Sequence, residues 1–91
     1  MTKADLVERV SRETGLTRKD TGIIVKSFLT ALADALARGQ NVELRRFGTF
    51  KVRRRKARMA RNPRTGDPVE VPERFVPVFR PSKELKTKVN R

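Results

Sequence analysis

What most limits the fold of this 91-residue chain is an interior segment, Arg53 to Arg74, whose only apolar side chains are Ala57, Met59, Ala60, Val69 and Val71. It opens with Arg53-Arg54-Arg55-Lys56-Ala57-Arg58-Met59-Ala60-Arg61-Asn62-Pro63-Arg64, a stretch with no acidic residue. So many like charges and so few apolar groups cannot enter a core, because the burial that would offset desolvation and repulsion is missing. The segment either stays as a solvated or disordered face or projects as an arm. Its surroundings favour the arm. Tails of this composition sit at chain ends, whereas this run lies between strand-like stretches and is followed by a turn-rich Thr65-Gly66-Asp67-Pro68 and a returning Val69-Glu70-Val71. A two-stranded ribbon of about ten residues per side would reach roughly 30 Å, enough to follow a DNA groove.

The charge balance names the kind of partner. Lys and Arg total 23 against 10 for Asp and Glu, a formal charge of +13. Residues 1–40 carry seven basic and five acidic side chains, and residues 41–91 carry sixteen and five, so the excess belongs to the second part. A polyanion is implied, and nucleic acid fits better than a membrane because no helix in the arm presents apolar and basic faces together. The chain has no Cys, His, Trp or Tyr. That excludes disulfides, thiolate or imidazole metal ligation, a cysteine nucleophile and the usual general base. Asp67, Glu70 and Glu73 lie on or beside the basic ribbon without partners for acid–base or metal work. An enzyme, a small-molecule substrate, a metal and a cofactor are therefore not expected. Met1 to Val10 carries Lys3, Asp5, Glu8 and Arg9 where a signal peptide would need an apolar run, and no stretch approaches the ~20 apolar residues of a membrane span. The expectation is a cytoplasmic protein with no membrane partner.

The first forty residues read as two helices. Thr2 with Asp5 forms a capping-box variant, Leu6, Val7 and Val10 share a face, and Gly15 stands where a left-handed cap belongs. Thr17 with Asp20 repeats the start signal, and the run that follows continues to Arg38 before Gly39. On that second helix Ile24, Val25, Phe28, Leu29, Leu32 and Leu36 fan over an arc of roughly 140°, with Lys26, Thr30, Asp34 and Arg38 opposite. Such a stripe either packs into its own chain or against a second copy. With hydrophobic residues at 36% of so short a chain, the copy is favoured: a two-fold dimer would bury as one core what neither chain buries alone.

From Asn41 the apolar period shortens toward two. Val42 and Leu44 alternate with charged residues, Phe47-Gly48 punctuates, and Phe50 and Val52 resume, which predicts a hairpin and a longer strand. After the arm, Phe75-Val76-Pro77-Val78-Phe79 is extended again, and Pro77 points to a sheet edge. Ser82 can cap a last helix running to Val89. The predicted class is α+β, order ααβββα, in one domain: 1–40 helical, 41–81 sheet with the arm at about 53–74, and 82–91 the last helix.

Phe47-Gly48-Thr49-Phe50, Arg55, Arg58, Arg61-Asn62-Pro63, Thr65-Gly66, Val76-Pro77 and Phe79-Arg80-Pro81 together resemble the bacterial HU and integration host factor family of DNA-bending proteins. The resemblance covers essentially the whole chain, and Arg61 to Gly66 is its most specific element. It implies an intertwined dimer with a helical base, a sheet saddle and two ribbon arms that embrace double-stranded DNA through the minor groove, in the bacterial nucleoid. Carried over by position, Arg53, Arg55, Lys56, Arg58, Arg61 and Arg64 would meet the groove or its phosphates, Asn62 would shape the tip, and Pro63 would intercalate. Lys3, Arg80, Lys83 and Lys86 would hold phosphates along the body, and Phe28, Leu29, Leu32, Leu36, Leu44, Phe47, Phe50 and Phe79 would form the dimer core. The implied function is low-specificity binding that bends, compacts or loops the chromosome. The partner subunit is a copy of the chain or a paralogue. A sequence-preferring integration-host-factor-like subunit and an RNA-binding structural protein are the alternatives. Arg46 and Ala60 depart from the family pattern, which usually has glycine at both positions; the first puts the turn geometry and a body–DNA contact in question and the second would stiffen the arm slightly.

Overall fold

A computed structural model describes residues 1–91, in the order α1 (Lys3–Thr14), α2 (Arg18–Ala37), β1 (Val42–Leu44), β2 (Gly48–Arg55), β3 (Arg58–Arg61), β4 (Pro68–Val71), β5 (Arg74–Pro81) and α3 (Lys83–Val89). The chain divides into two units, Met1–Ala35 and Leu36–Arg91.

In the first unit the expected caps are present. The Thr2 hydroxyl accepts from the Asp5 amide while the Asp5 carboxylate accepts from the Thr2 amide, and Gly15 closes α1 in the left-handed region with its N–H donating to Ser11 O. At the start of α2 the Thr17 hydroxyl accepts from the Asp20 amide. The bonds at Thr2 and Thr17 satisfy amides that a helix start leaves without partners, and the Gly15 bond satisfies a carbonyl at the end of α1. The apolar stripe of α2 is only partly covered: Ile24 is 56% exposed and Phe28 50%, while Val25, Leu32 and Leu36 are half-buried.

The second unit is built on a three-stranded antiparallel sheet, order β1-β2-β5, and a separate two-stranded antiparallel ribbon, β3-β4. Pro77 lies on β5, an edge strand, as its missing N–H requires. Ser82 caps α3, its hydroxyl accepting from the Leu85 amide. Where an arm of about ten residues per side is expected, the strand pairing is not continuous. The β2–β5 ladder ends at Arg55↔Arg74, the ribbon starts at Arg58↔Val71, and its strands have four residues each. Between the ladders Lys56 and Ala57 stand opposite Glu73 and Pro72, and the registry on the two sides shows that no residue is inserted. Pro72 has no N–H to give the ladder, which accounts for the gap.

No hydrophobic side chain is fully buried anywhere in the chain. No helix is long and apolar enough to cross a membrane.

Candidate nucleic-acid interface

Strand pleating sorts the charges of the β2–β5 ladder. Thr49, Lys51, Arg53 and Arg55 alternate with Gly48, Phe50, Val52 and Arg54, and each pairs with a β5 residue on its own face. One face thus carries Lys51, Arg53, Arg55, Arg74 and Arg80, with Thr49, Val76 and Val78 among them. The other carries Phe50, Val52, Phe75, Pro77 and Phe79. Phe79 touches both Phe47 (centroids 5.4 Å apart) and Phe50 (4.8 Å) in tilted stacks. Arg54 belongs to the aromatic face, where it pairs with Glu73 at 3.5 Å.

The registry is held by a close approach. Gly48 pairs with Leu44 on one side and Pro81 on the other, and a Cβ there would lie 2.6 Å from the Arg80 carbonyl oxygen and from the Phe79 ring. Only glycine lets the three strands meet at this point. Two residues earlier Arg46 takes φ 69°, the one non-glycine residue with positive φ. Relative to glycine this costs roughly 1–2 kcal/mol, because Cβ crowds the following carbonyl. The turn is tied down around it: the Phe47 amide donates to Leu44 O, Ser82 Oγ donates to Arg46 O at 2.8 Å, and the Ser82 amide donates to Phe47 O at 2.9 Å.

The arm tip is ordered by Asn62. Its amide donates to Asp67 O, its carbonyl accepts from the Gly66 amide, both at 2.8 Å, and its side-chain Oδ1 accepts from the Arg64 amide at 2.9 Å. Gly66 closes the loop at φ 76°, a conformation glycine adopts without strain. Arg61 Nη1 donates to Gly66 O at 3.3 Å. Pro63 stands exposed on this closed loop.

The structure therefore brings Arg53, Arg55 and Arg80 onto one sheet face. Within the ribbon it separates Arg58, which shares a face with Ala60, Val69 and Val71, from Arg61, which shares the other with Met59, Pro68 and Glu70. Lys56 lies at the gap between ladders, Arg64 on the tip loop, Lys83 and Lys86 on α3, and Lys3 at the start of α1; all are exposed. Leu44, Phe47, Phe50 and Phe79 share the second unit, with Phe47 47% and Phe79 40% exposed; Phe28, Leu29, Leu32 and Leu36 lie along α2. Lys51 and Arg74 join this face although the basic run of the sequence does not single them out. Strand parity with Arg53 and Arg55 was the signal for Lys51, and pairing across the sheet was the signal for Arg74.

An antiparallel sheet with a cationic face, continued into a basic ribbon that ends in a preformed proline loop, defines a nucleic-acid-binding architectural module. The profile of the family described as bacterial DNA-binding protein matches residues 1–90. Integration host factor subunit beta of Burkholderia cenocepacia (strain HI2424) is 50% identical over 99% of this chain and 85% of that protein. The same subunit from Marinobacter nauticus is 48% identical over 99% and 93%. Among solved structures, an Anabaena HU–DNA cocrystal structure superposes with a TM-score of 0.92 at 36% identity, covering 98% of this chain and 97% of that one. HU from Thermotoga maritima gives 0.71 at 31% identity, over 98% of each chain. The chain belongs to this family, the HU and integration host factor group of DNA-binding architectural proteins.

Proposed function

We propose that the protein binds duplex DNA through the minor groove with little sequence preference and holds it bent, so that the chromosome is compacted or looped. No bond is made or broken. The observation that carries this reading is the exposed Pro63 on a loop already closed by Asn62 and Gly66, at the end of a cationic ribbon. A rigid apolar ring so placed can wedge between two base pairs, unstack them and kink the helix. Arg53, Arg55, Lys56, Arg58, Arg61 and Arg64 hold the groove and its phosphates, and Lys3, Arg80, Lys83 and Lys86 hold phosphates along the body. Smoothly bending 20–30 base pairs costs about 1–6 kcal/mol, offset here by cationic contacts that reach only curved DNA. The Anabaena relative is itself bound to DNA.

The working unit in this reading is a dimer. Ile24, Phe28 and Leu29 on α2 and Phe47, Phe75 and Phe79 on the sheet unit are each at least 40% exposed in the single chain. Apolar area of that extent calls for a protein partner.

The test is energy transfer across an end-labelled duplex of about 30 base pairs. Wild type brings the ends together and Pro63→Ala binds but bends less; an identical transfer efficiency for both would refute the wedge.

A second reading has its own support, since the curated relatives at 47–50% identity are named as integration host factor beta subunits. Under it the chain pairs with a paralogue and prefers particular sites through groove shape. Competition between random and selected duplexes, run on the chain alone and with candidate partners, separates the two.

A further inference from the structure

The geometry points to Arg46 as a DNA-backbone contact in its own right, seated in a basic concavity at the end of the sheet remote from the arm. This rests on the duplex-binding function proposed above. Arg46 adopts a backbone conformation that glycine or asparagine would take more easily. Nothing within the chain offsets that strain through its side chain. The main-chain carbonyl accepts from Ser82 Oγ, while the guanidinium has neither a salt-bridge partner nor a hydrogen bond.

Its neighbourhood makes the cation less comfortable still. An open concavity of about 300 Å³ is lined by Arg45, Arg46, Lys51 and Arg80, with Glu43 the one acid. Four cations around one carboxylate repel each other in the free protein, and a phosphodiester turns that repulsion into attraction. Lys51 and Arg80 extend onto the cationic sheet face, so the concavity is continuous with the surface proposed to meet DNA. The ladder from Thr49↔Arg80 to Arg55↔Arg74 spans six residues, about 20 Å at ~3.3 Å each. That exceeds the ~8–10 Å screening length at ordinary salt, so charge at Arg46 acts separately from charge at the arm root.

The experiment measures affinity for a duplex of about 35 base pairs over a range of salt, for wild type, Arg46→Asn, Arg46→Gly and Arg12→Gln. Asparagine keeps the turn and removes the charge; Arg12, on α1, is an exposed cation outside the proposed interface. For a dimer with one such contact per chain, both Arg46 variants should lower the slope of log affinity against log salt by about 1.8, which is roughly 60-fold at 0.1 M salt and fades toward 1 M. Arg12→Gln should leave the slope unchanged, and neither Arg46 variant should melt below wild type. Wild-type slopes in the Arg46 variants, or an equal change in Arg12→Gln, would overturn the assignment while leaving the duplex-binding function standing. A wild type without salt-dependent duplex affinity would sink both.

Discussion

Two positions in one turn, Arg46 and Gly48, should respond to substitution in opposite directions. At Gly48 the added methyl of Gly48→Ala would sit 2.6 Å from the Arg80 carbonyl oxygen and from Cε1 and Cζ of Phe79. Ordinary contact lies near 3.4–4 Å, so something must move by roughly 1 Å. The ring has little freedom, being in contact with both Phe47 and Phe50, and the carbonyl belongs to the strand next to β2. Overpacking of this kind costs about 1–3 kcal/mol, and main-chain contact puts Gly48→Ala at the upper end. For a domain of this size ~2–3 kcal/mol lowers the melting temperature by roughly 10–20 °C. Arg46→Gly removes a left-handed penalty of about 1–2 kcal/mol and adds about 0.5–1 of unfolded-chain entropy, a net gain of roughly 0.5–1 kcal/mol. Thermal melts followed by circular dichroism, at one fixed protein concentration because association enters the equilibrium, report both. A Gly48→Ala protein melting within about 2 °C of wild type would refute the steric argument, and an Arg46→Gly protein melting lower would refute the strain argument.

Lys51→Gln should make the affinity for duplex less salt-dependent, by about 0.9 in the log–log slope for each phosphate that is no longer neutralised, whereas Arg54→Gln, on the aromatic face and paired with Glu73, should change it far less; equal changes would show that face does not matter. Asn62→Ala removes the acceptor for the Arg64 amide, at a cost of about 0.5–1.5 kcal/mol to the tip, and should reduce bending in the energy-transfer assay, while Asn62→Asp, which retains an acceptor oxygen, should keep more of it; the reverse order would count against a preformed tip. Leu32→Asp should abolish folding and dimerisation together, read by sedimentation and circular dichroism, and a folded monomer would contradict the shared-core reading.

How far the sequence disclosed this arrangement depended on how local the cause was. Thr2, Asp5, Gly15 and Ser82 act within a turn of their own helix ends, so their caps could be read directly. Pro77 marked an edge because a missing N–H has the same consequence in any sheet. The loop at Asn62 to Gly66 was legible as turn chemistry. The gap between the two ladders was not, because it arises from what Lys56 and Ala57 face across the arm: Pro72, some fifteen residues on, has no N–H for the ladder. Lys51 reads in sequence as one cation between Phe50 and Val52, although parity alone aligns it with Arg53 and Arg55. Arg46 was visible as a departure from pattern, but its left-handed backbone is set by the turn and the Ser82 bonds that hold it.

The sheet also gives a physical reason for association and DNA binding to depend on each other in the proposed function. A single registry assigns the cations Lys51, Arg53, Arg55, Arg74 and Arg80 to one face and the cluster of Phe50 and Phe79 to the other. Since side chains alternate strictly, a slip of one residue along β2 would exchange its two sets, and Gly48 resists that slip because no other residue fits at its position. In the proposed function the polyanion meets the cationic face, and phosphates, which offer no apolar surface, cannot cover the aromatic one. With Phe75 68% exposed and Phe47 47%, a lone chain leaves that face wet, an apolar surface suited to another protein. In the proposed function, a second chain covering the phenylalanines would fix the strands, and fixed strands would align the cations for DNA. On that reading, loss of the partner should lower duplex affinity even with every cation of that face intact, and a monomer that binds duplex as tightly as wild type would refute the coupling.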